Sequence, residues 1–240
     1  MNFTLGARLT AEFIGTAFLV AAIVGSGVMG DKLSGGNVAL ALLANTIATG
    51  AALVALITAF ADMSGAHFNP VVTLTDAIER RLPRLDAAGY VAVQIVGGIV
   101  GAVTAHAMFG LPAISLSVHR RHGWPLVFSE FVATFGLIAV IRGCSRLRSS
   151  MIPVAVGSYI TAAYWFTAST SFANPAVTVA RSLTNTFSGI QPADVPLFVA
   201  AQVCGGLAAT LVFARLRLIN GVSDKGQTAS STGIAERCHD

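Results

Sequence analysis

Apolar runs of roughly twenty residues recur along the chain, each closed by a polar or glycine-rich break, the pattern of helices that cross a bilayer core of ~30 Å. Six such runs can be drawn, at about 8–30, 38–60, 87–109, 126–143, 151–168 and 196–218. Two shorter apolar patterns, Val71 to Arg80 and Ala176 to Phe187, fall between runs two and three and between runs five and six. Each follows a polar loop that ends in Asn-Pro: Ser64-Gly-Ala-His-Phe-Asn-Pro70 and Thr170-Ser-Phe-Ala-Asn-Pro175. Asparagine at an N-cap with proline at the first helical position is a favourable helix start. A helix of about ten residues rises ~15 Å, half the apolar core of a bilayer. The pattern therefore predicts two half-helices that enter from opposite sides and bring Asn69 and Asn174 together near the midplane.

The halves repeat beyond the loops. Ala11-Glu-Phe-Ile-Gly-Thr16 is echoed by Ser129-Glu-Phe-Val-Ala-Thr134, and Val91-Ala-Val-Gln-Ile-Val-Gly-Gly98 by Val199-Ala-Ala-Gln-Val-Cys-Gly-Gly206. Three spans per half make the halves run in opposite directions, an inverted repeat of about 8–110 and 126–218 within one channel-forming domain, 1–218. Such architectures bind their solutes at the midplane, on broken helices. Residues 219–240 are polar and are expected to form a disordered tail.

Composition narrows the class. With 54% hydrophobic and 11% charged residues, the chain lies far from a soluble domain, in which about a quarter is charged. Its net charge of +4 does not point to nucleic acid, because the basic residues sit between apolar runs. Arg8, Arg80, Arg81, Arg84, Arg142, Arg146, Arg148, Arg215, Arg217, Lys225 and Arg237 fall on one side; Lys32, Arg120, Arg121 and Arg181 fall on the other. The positive-inside rule then places both termini in the cytoplasm, in a multi-pass protein of the inner (plasma) membrane. The three cysteines show no metal-ligand spacing, and Cys238-His239 reads as an incidental part of the tail, so neither metal nor cofactor is expected. No Ser–His pair or ligand cluster suggests an enzyme.

Polar groups inside apolar spans are functional suspects by default. For Glu12 and Glu130 two tasks present themselves: a proton relay, or accepting hydrogen bonds from the irregular backbone ahead of each half-helix. One per half favours the second, and Gln94 and Gln202 read the same way. His67 reads equally as a hydrogen-bonded structural histidine, a pore contact or a pH-sensitive gate. The glycine pairs at 97–98 and 205–206 read as close helix packing.

The paired Asn-Pro loops, Ala-Glu-Phe-x-Gly-Thr, Ser-Gly-Ala-His-x-Asn-Pro and the tandem halves resemble the aquaporin (major intrinsic protein) family over about residues 8–218. The resemblance implies an all-α membrane protein of six transmembrane helices and two re-entrant half-helices. It also implies a homotetramer with one pore per subunit, conducting water or small uncharged solutes passively. Asn69 and Asn174 match the two signature asparagines, and Val71 stands where the family usually has Ala. The family commonly carries Arg three residues after the second Asn; this chain has Val177. Thr49 stands where the family places another filter residue, instead of a bulky aromatic. Ala162 or Tyr164 would give the fifth-span filter position, and Ser171 or Phe172 the loop contribution. Without a guanidinium and a large ring, the filter is expected to be wider and less polar than a water-selective one. Arg181, one turn beyond Val177, either swings back as a substitute or bonds loop carbonyls outside the constriction; the second is favoured because position 177 is aliphatic.

The pattern is most similar to bacterial, rhizobial-type aquaglyceroporins associated with arsenic resistance. That resemblance suggests glycerol-like polyols, arsenous acid and methylated trivalent arsenicals as solutes, with accompanying water. A mainly water-conducting pore is the alternative within the class. An ion-coupled secondary transporter is the alternative outside it, and neither loop offers the acidic cluster a coupling ion would need.

Overall fold

The computed structural model describes the backbone of residues 3–235, with the side chains of 146–147 and 217–235 outside the described set. Eight α-helices are present among these residues: α1 Leu5–Leu33, α2 Val38–Ser64, α3 Pro70–Ile78, α4 Arg84–Met108, α5 Trp124–Leu147, α6 Ile152–Phe166, α7 Pro175–Arg181 and α8 Val195–Ala235. Two 3-10 turns, Ser149–Met151 and Pro192–Asp194, lead into α6 and α8. Five of the long helices (α1, α2, α4, α5 and α8) are long and apolar enough to cross a membrane, among the described residues. The expected span at 151–168 is α6, 15 residues long and so ~22 Å; the preceding 3-10 turn extends it.

The packing follows the repeat. α1 lies against α4 and α2, and α5 against α8 and α6. Glycine sets the closeness of the first member of each pair. A side chain at Gly97 would run into the Phe13 carbonyl of α1, and one at Gly205 into the Phe131 carbonyl of α5. The packing role read for these glycines is therefore met by backbone-to-backbone approach. Gly206 explains a second feature. The Val71 side chain occupies the space a Cβ at Gly206 would need, and it is buried beside Ile138 and Ala209. Val71 is thus a packing residue.

α7 is shorter than the pattern at 176–187 suggested. It stops at Arg181 because its last carbonyls are taken by loops rather than by a further turn: Ile190 donates to Arg181, Ser117 to Ser182 and Ser115 to Leu183. α3 ends two residues before Arg80, which turns the chain at a left-handed φ of 60° while Arg81 N–H returns to the Asp76 carbonyl. α8 is continuous to Ala235, so helical backbone extends into the segment expected as an unstructured tail. No proline follows Pro196 to interrupt the ladder. Residues 236–240, including Cys238 and His239, lie outside the described residues.

Candidate functional site: two loops joined at their asparagines

The loops at 64–70 and 170–175 meet head to head. Asn69 Oδ1 accepts from Val71 N–H at 2.9 Å and caps α3; Asn174 Oδ1 accepts from Ala176 N–H at 2.9 Å and Val177 N–H at 3.3 Å and caps α7. The amide nitrogens cross over. Asn69 Nδ2 donates to the Ala173 carbonyl and Asn174 Nδ2 to the Phe68 carbonyl, both at 2.8 Å. Each NH₂ has two N–H donors, so after this exchange one remains on each asparagine for a solute. The cross-loop use of the first was not foreseen from sequence. It brings the positive ends of α3 and α7, each equivalent to roughly +0.5 charge, to the same place.

The loops reach this arrangement through left-handed backbone: Ala66 and Phe68 in one, Ser171 and Ala173 in the other, with φ of 48–49°. For non-glycine residues this costs roughly 1–2 kcal/mol each, and two buried carboxylates offset it. Glu12 Oε1 accepts from Ser64 Oγ (2.6 Å) and His67 N–H (2.9 Å), and its Oε2 from Phe68 N–H (2.7 Å) and Gln94 Nε2 (2.8 Å). Glu130 accepts from Phe172 N–H and Ala173 N–H, both at 2.9 Å, and from Gln202 Nε2 at 2.6 Å. Each glutamine also donates to a threonine of the short helix beside it, Gln94 to Thr73 and Gln202 to Thr178, at 2.9 Å. All these glutamates and glutamines are fully buried. Of the two tasks, holding loop backbone is the one the geometry performs.

A cavity of about 210 Å³ runs along these loops. Asn69, Asn174, Thr49 and Val177 all line it, together with Leu19, Leu53 and Ile160. Thr49 and Val177 are each 2% exposed, and Thr49 Oγ1 lies 3.3 Å from the Tyr164 hydroxyl. Tyr164 lines the cavity whereas Ala162 is exposed on the other side of α6, so the tyrosine is the residue that faces the path. Ser171 and Phe172 line it as well.

At the end towards Arg8 and Arg84, here the basic face, a charged network surrounds the cavity. His67 Nδ1 lies 3.1 Å from Thr73 Oγ1, and its Nε2 lies 3.2 Å from Asp76 Oδ2. Arg142, 1% exposed, reaches Asp76 at 2.6 Å, Glu79 at 3.3 Å and Thr75 Oγ1 at 3.0 Å. His67 is therefore both hydrogen-bonded and a cavity wall. Sequence reading assigned Arg142 to topology alone and passed over Asp76 and Glu79. Two acids at i and i+3 in a short apolar helix, with an arginine closing the apolar run of α5, were the available signal.

At the opposite end, Arg121 from the α4–α5 loop donates to the Gly189 carbonyl at 2.8 Å and the Ser169 carbonyl at 3.2 Å. Burial pushes its guanidinium below the ordinary arginine value. Arg181 donates through Nε to the Ser188 carbonyl, and its guanidinium lies 3.4 Å from the centre of the Phe172 ring. The loop-carbonyl bond is the expected one, yet the side chain also lines the cavity.

Residues 2–171 match the model of the family described as Major intrinsic protein. The chain belongs to that family. Aquaglyceroporin AqpS of Rhizobium meliloti (strain 1021) is 55% identical over 208 residues, covering 87% of this chain and 89% of the relative. Aquaporin NIP1-4 of Oryza sativa subsp. japonica is 30% identical, covering 93% and 82%. The fold is similar to that of the aquaglyceroporin from Plasmodium falciparum, with a TM-score of 0.68 at 19% identity, covering 88% of this chain and 96% of that one. Members of the major intrinsic protein family are membrane channels for small neutral solutes and are not enzymes. The chain is accordingly a multi-pass membrane channel.

Proposed function

We propose that this channel passively conducts glycerol-like polyols, arsenous acid and methylated trivalent arsenicals, with water alongside. The observation that carries this reading is Val177: an aliphatic side chain, 2% exposed, lines the cavity where the family commonly has arginine. With Thr49 also on the cavity wall, it gives a lining that has methyl groups and hydroxyls and no cation at position 177. Arsenous acid at neutral pH is uncharged and rich in hydroxyls, like a compact polyol, and methylated forms add an apolar face that matches Val177. Asn69 and Asn174 supply the central N–H donors, and the two helix N-termini behind them oppose cations.

In the same reading, residues 1–218 form one domain of six spans, with α3 and α7 as re-entrant half-helices of an inverted repeat. The protein sits in the inner membrane as a homotetramer with both termini cytoplasmic, and the basic face is then the cytoplasmic one. The aquaglyceroporin name of its 55%-identical relative supports a polyol-sized pore. Flux of water, glycerol, urea and arsenous acid into proteoliposomes tests it. Flux that is linear in the solute gradient is expected for each of them. Flux that saturates and follows an ion gradient, or water flux without glycerol flux, overturns the proposal.

A further inference from the structure

Two polar groups at the end of the cavity away from the basic face have no hydrogen-bond partner among the described residues: Arg181 Nη1 and Ser171 Oγ. Both atoms are buried, both residues are 2% exposed, and both line the cavity. A buried polar group left unpaired costs about 1–3 kcal/mol, more when charged, and at this end of the cavity a solute hydroxyl would supply the missing partner of both. Two contacts hold the guanidinium in place. Nε is held by the Ser188 carbonyl, the plane lies against the Phe172 ring, and Phe172 is itself braced edge-on by Phe198 at 5.4 Å. The charge is also well placed on α7, in its last turn, where a cation meets the negative end of the helix. Among the described residues no carboxylate forms an ion pair with it, which distinguishes it from Arg142, whose partners are Asp76 and Glu79.

We infer that Arg181 and Ser171 form a solute-binding step of the pore, one helical turn beyond Val177, that takes hydroxyl oxygens of neutral polyol-like solutes. Arg181 Nη1 donates to one hydroxyl oxygen and Ser171 Oγ exchanges a hydrogen bond with a neighbouring one, while Val177 and the Phe172 ring meet the carbon face. The chain thereby keeps a cation on its path without keeping it at the narrowest family position. Residue 177 is free to be aliphatic because the donor has moved along the same helix. Such a site distinguishes a two-hydroxyl solute from water by pairing both groups at once.

This rests on the channel reading above, and the experiment separates the two. Stopped-flow permeabilities to glycerol and water are measured for wild type, Arg181→Met, Arg181→Lys and Ser171→Ala, reconstituted at equal protein density. Arg181→Met keeps the bulk and removes the donors; the glycerol-to-water permeability ratio is expected to fall about tenfold, as for loss of a hydrogen bond to a charged group. Ser171→Ala is expected to lower the same ratio by about threefold, and Arg181→Lys to fall less than Arg181→Met because one donor persists. An unchanged ratio in Arg181→Met and Ser171→Ala overturns the binding step and leaves Arg181 a loop anchor. If Arg181→Met does not assemble, Arg181→Lys and Ser171→Ala decide, and an unchanged ratio in both is again fatal. Absence of glycerol flux in the wild type itself would instead strike the proposed function.

Discussion

The half of the cavity towards the basic face and the half away from it share a frame but not a lining. In both, a buried glutamate holds two loop N–H groups, a glutamine bridges it to a threonine, and an asparagine caps the short helix and bonds across to the other loop. Beyond that frame they part. One half carries a charge network in which Arg142 pairs with the carboxylates of Asp76 and Glu79, and His67 lies beside Asp76. The other carries arginines paired with carbonyls and an aromatic ring, with donors left over. The difference separates two tasks. Residues repeated in both halves hold the loops and bring the asparagines together, and residues found in only one half line its own end of the cavity.

The largest effect is expected where the frame itself is cut. Glu130→Ala strands the N–H groups of Phe172 and Ala173 and the Gln202 amide in a fully buried place. At about 1–3 kcal/mol per stranded group, the second loop loses its fold. Size-exclusion chromatography should show loss of monodisperse protein. Glu130→Gln, which keeps one acceptor oxygen, should be intermediate. If Glu130→Ala were as well behaved as wild type, the shared frame would not be what holds the loops.

Next comes the meeting point. In Asn69→Asp or Asn174→Asp an acceptor replaces the donor that faces a carbonyl 2.8 Å away, and the N–H offered to solute goes with it. Flux of all neutral solutes should fall by roughly tenfold or more, the loss of one to two hydrogen bonds, in protein that still reaches the membrane. Normal flux in both purified variants would remove the asparagines from the path.

Much of the frame was legible because it is local and repeated. Asn-Pro fixes a helix start without any tertiary help, and the two Glu-Phe echoes point to a shared task for Glu12 and Glu130. The cross-loop exchange between Asn69 and Ala173 was not legible: it depends on two segments 104 residues apart arriving in one geometry. The Arg142 network escaped for a related reason. An arginine at the end of an apolar run reads as a topology signal, and only packing reveals that it turns inward to Asp76. The end of α7 was misjudged because apolar periodicity continued past Arg181, whereas the carbonyls of Arg181, Ser182 and Leu183 are claimed by the N–H groups of Ile190, Ser117 and Ser115.

A smaller effect should come from the charged half. Arg142→Met removes Asp76's closest partner and leaves it with His67. Because the Asp76 side chain is 18% exposed, destabilisation should sit at the low end of that for broken buried pairs, about 3 kcal/mol. A lower unfolding temperature in detergent, partly recovered by adding Asp76→Asn, is the expected result; no recovery would mean that the lost charge pairing is not the cause. Smallest of all should be Tyr164→Phe, which removes a long 3.3 Å contact with Thr49. Its permeabilities should stay within about threefold of wild type, in line with a net bond of ~1 kcal/mol or less. A larger change would make the hydroxyl, rather than the ring, the feature of position 164 that matters.

Val177 is where the account is most exposed. Val177→Arg restores to α7 the residue the family commonly has, adding a long cation with five donors to a position now lined by methyl groups. Stopped-flow permeability on equal amounts of reconstituted protein should show loss graded by solute size and apolar surface. Methylated trivalent arsenicals and glycerol should fall furthest, by about tenfold or more for the lost pocket space, arsenous acid less, and water least. An equal fall for every solute would mean blockage or misfolding, and no fall at all would mean that Val177 does not set what this channel passes.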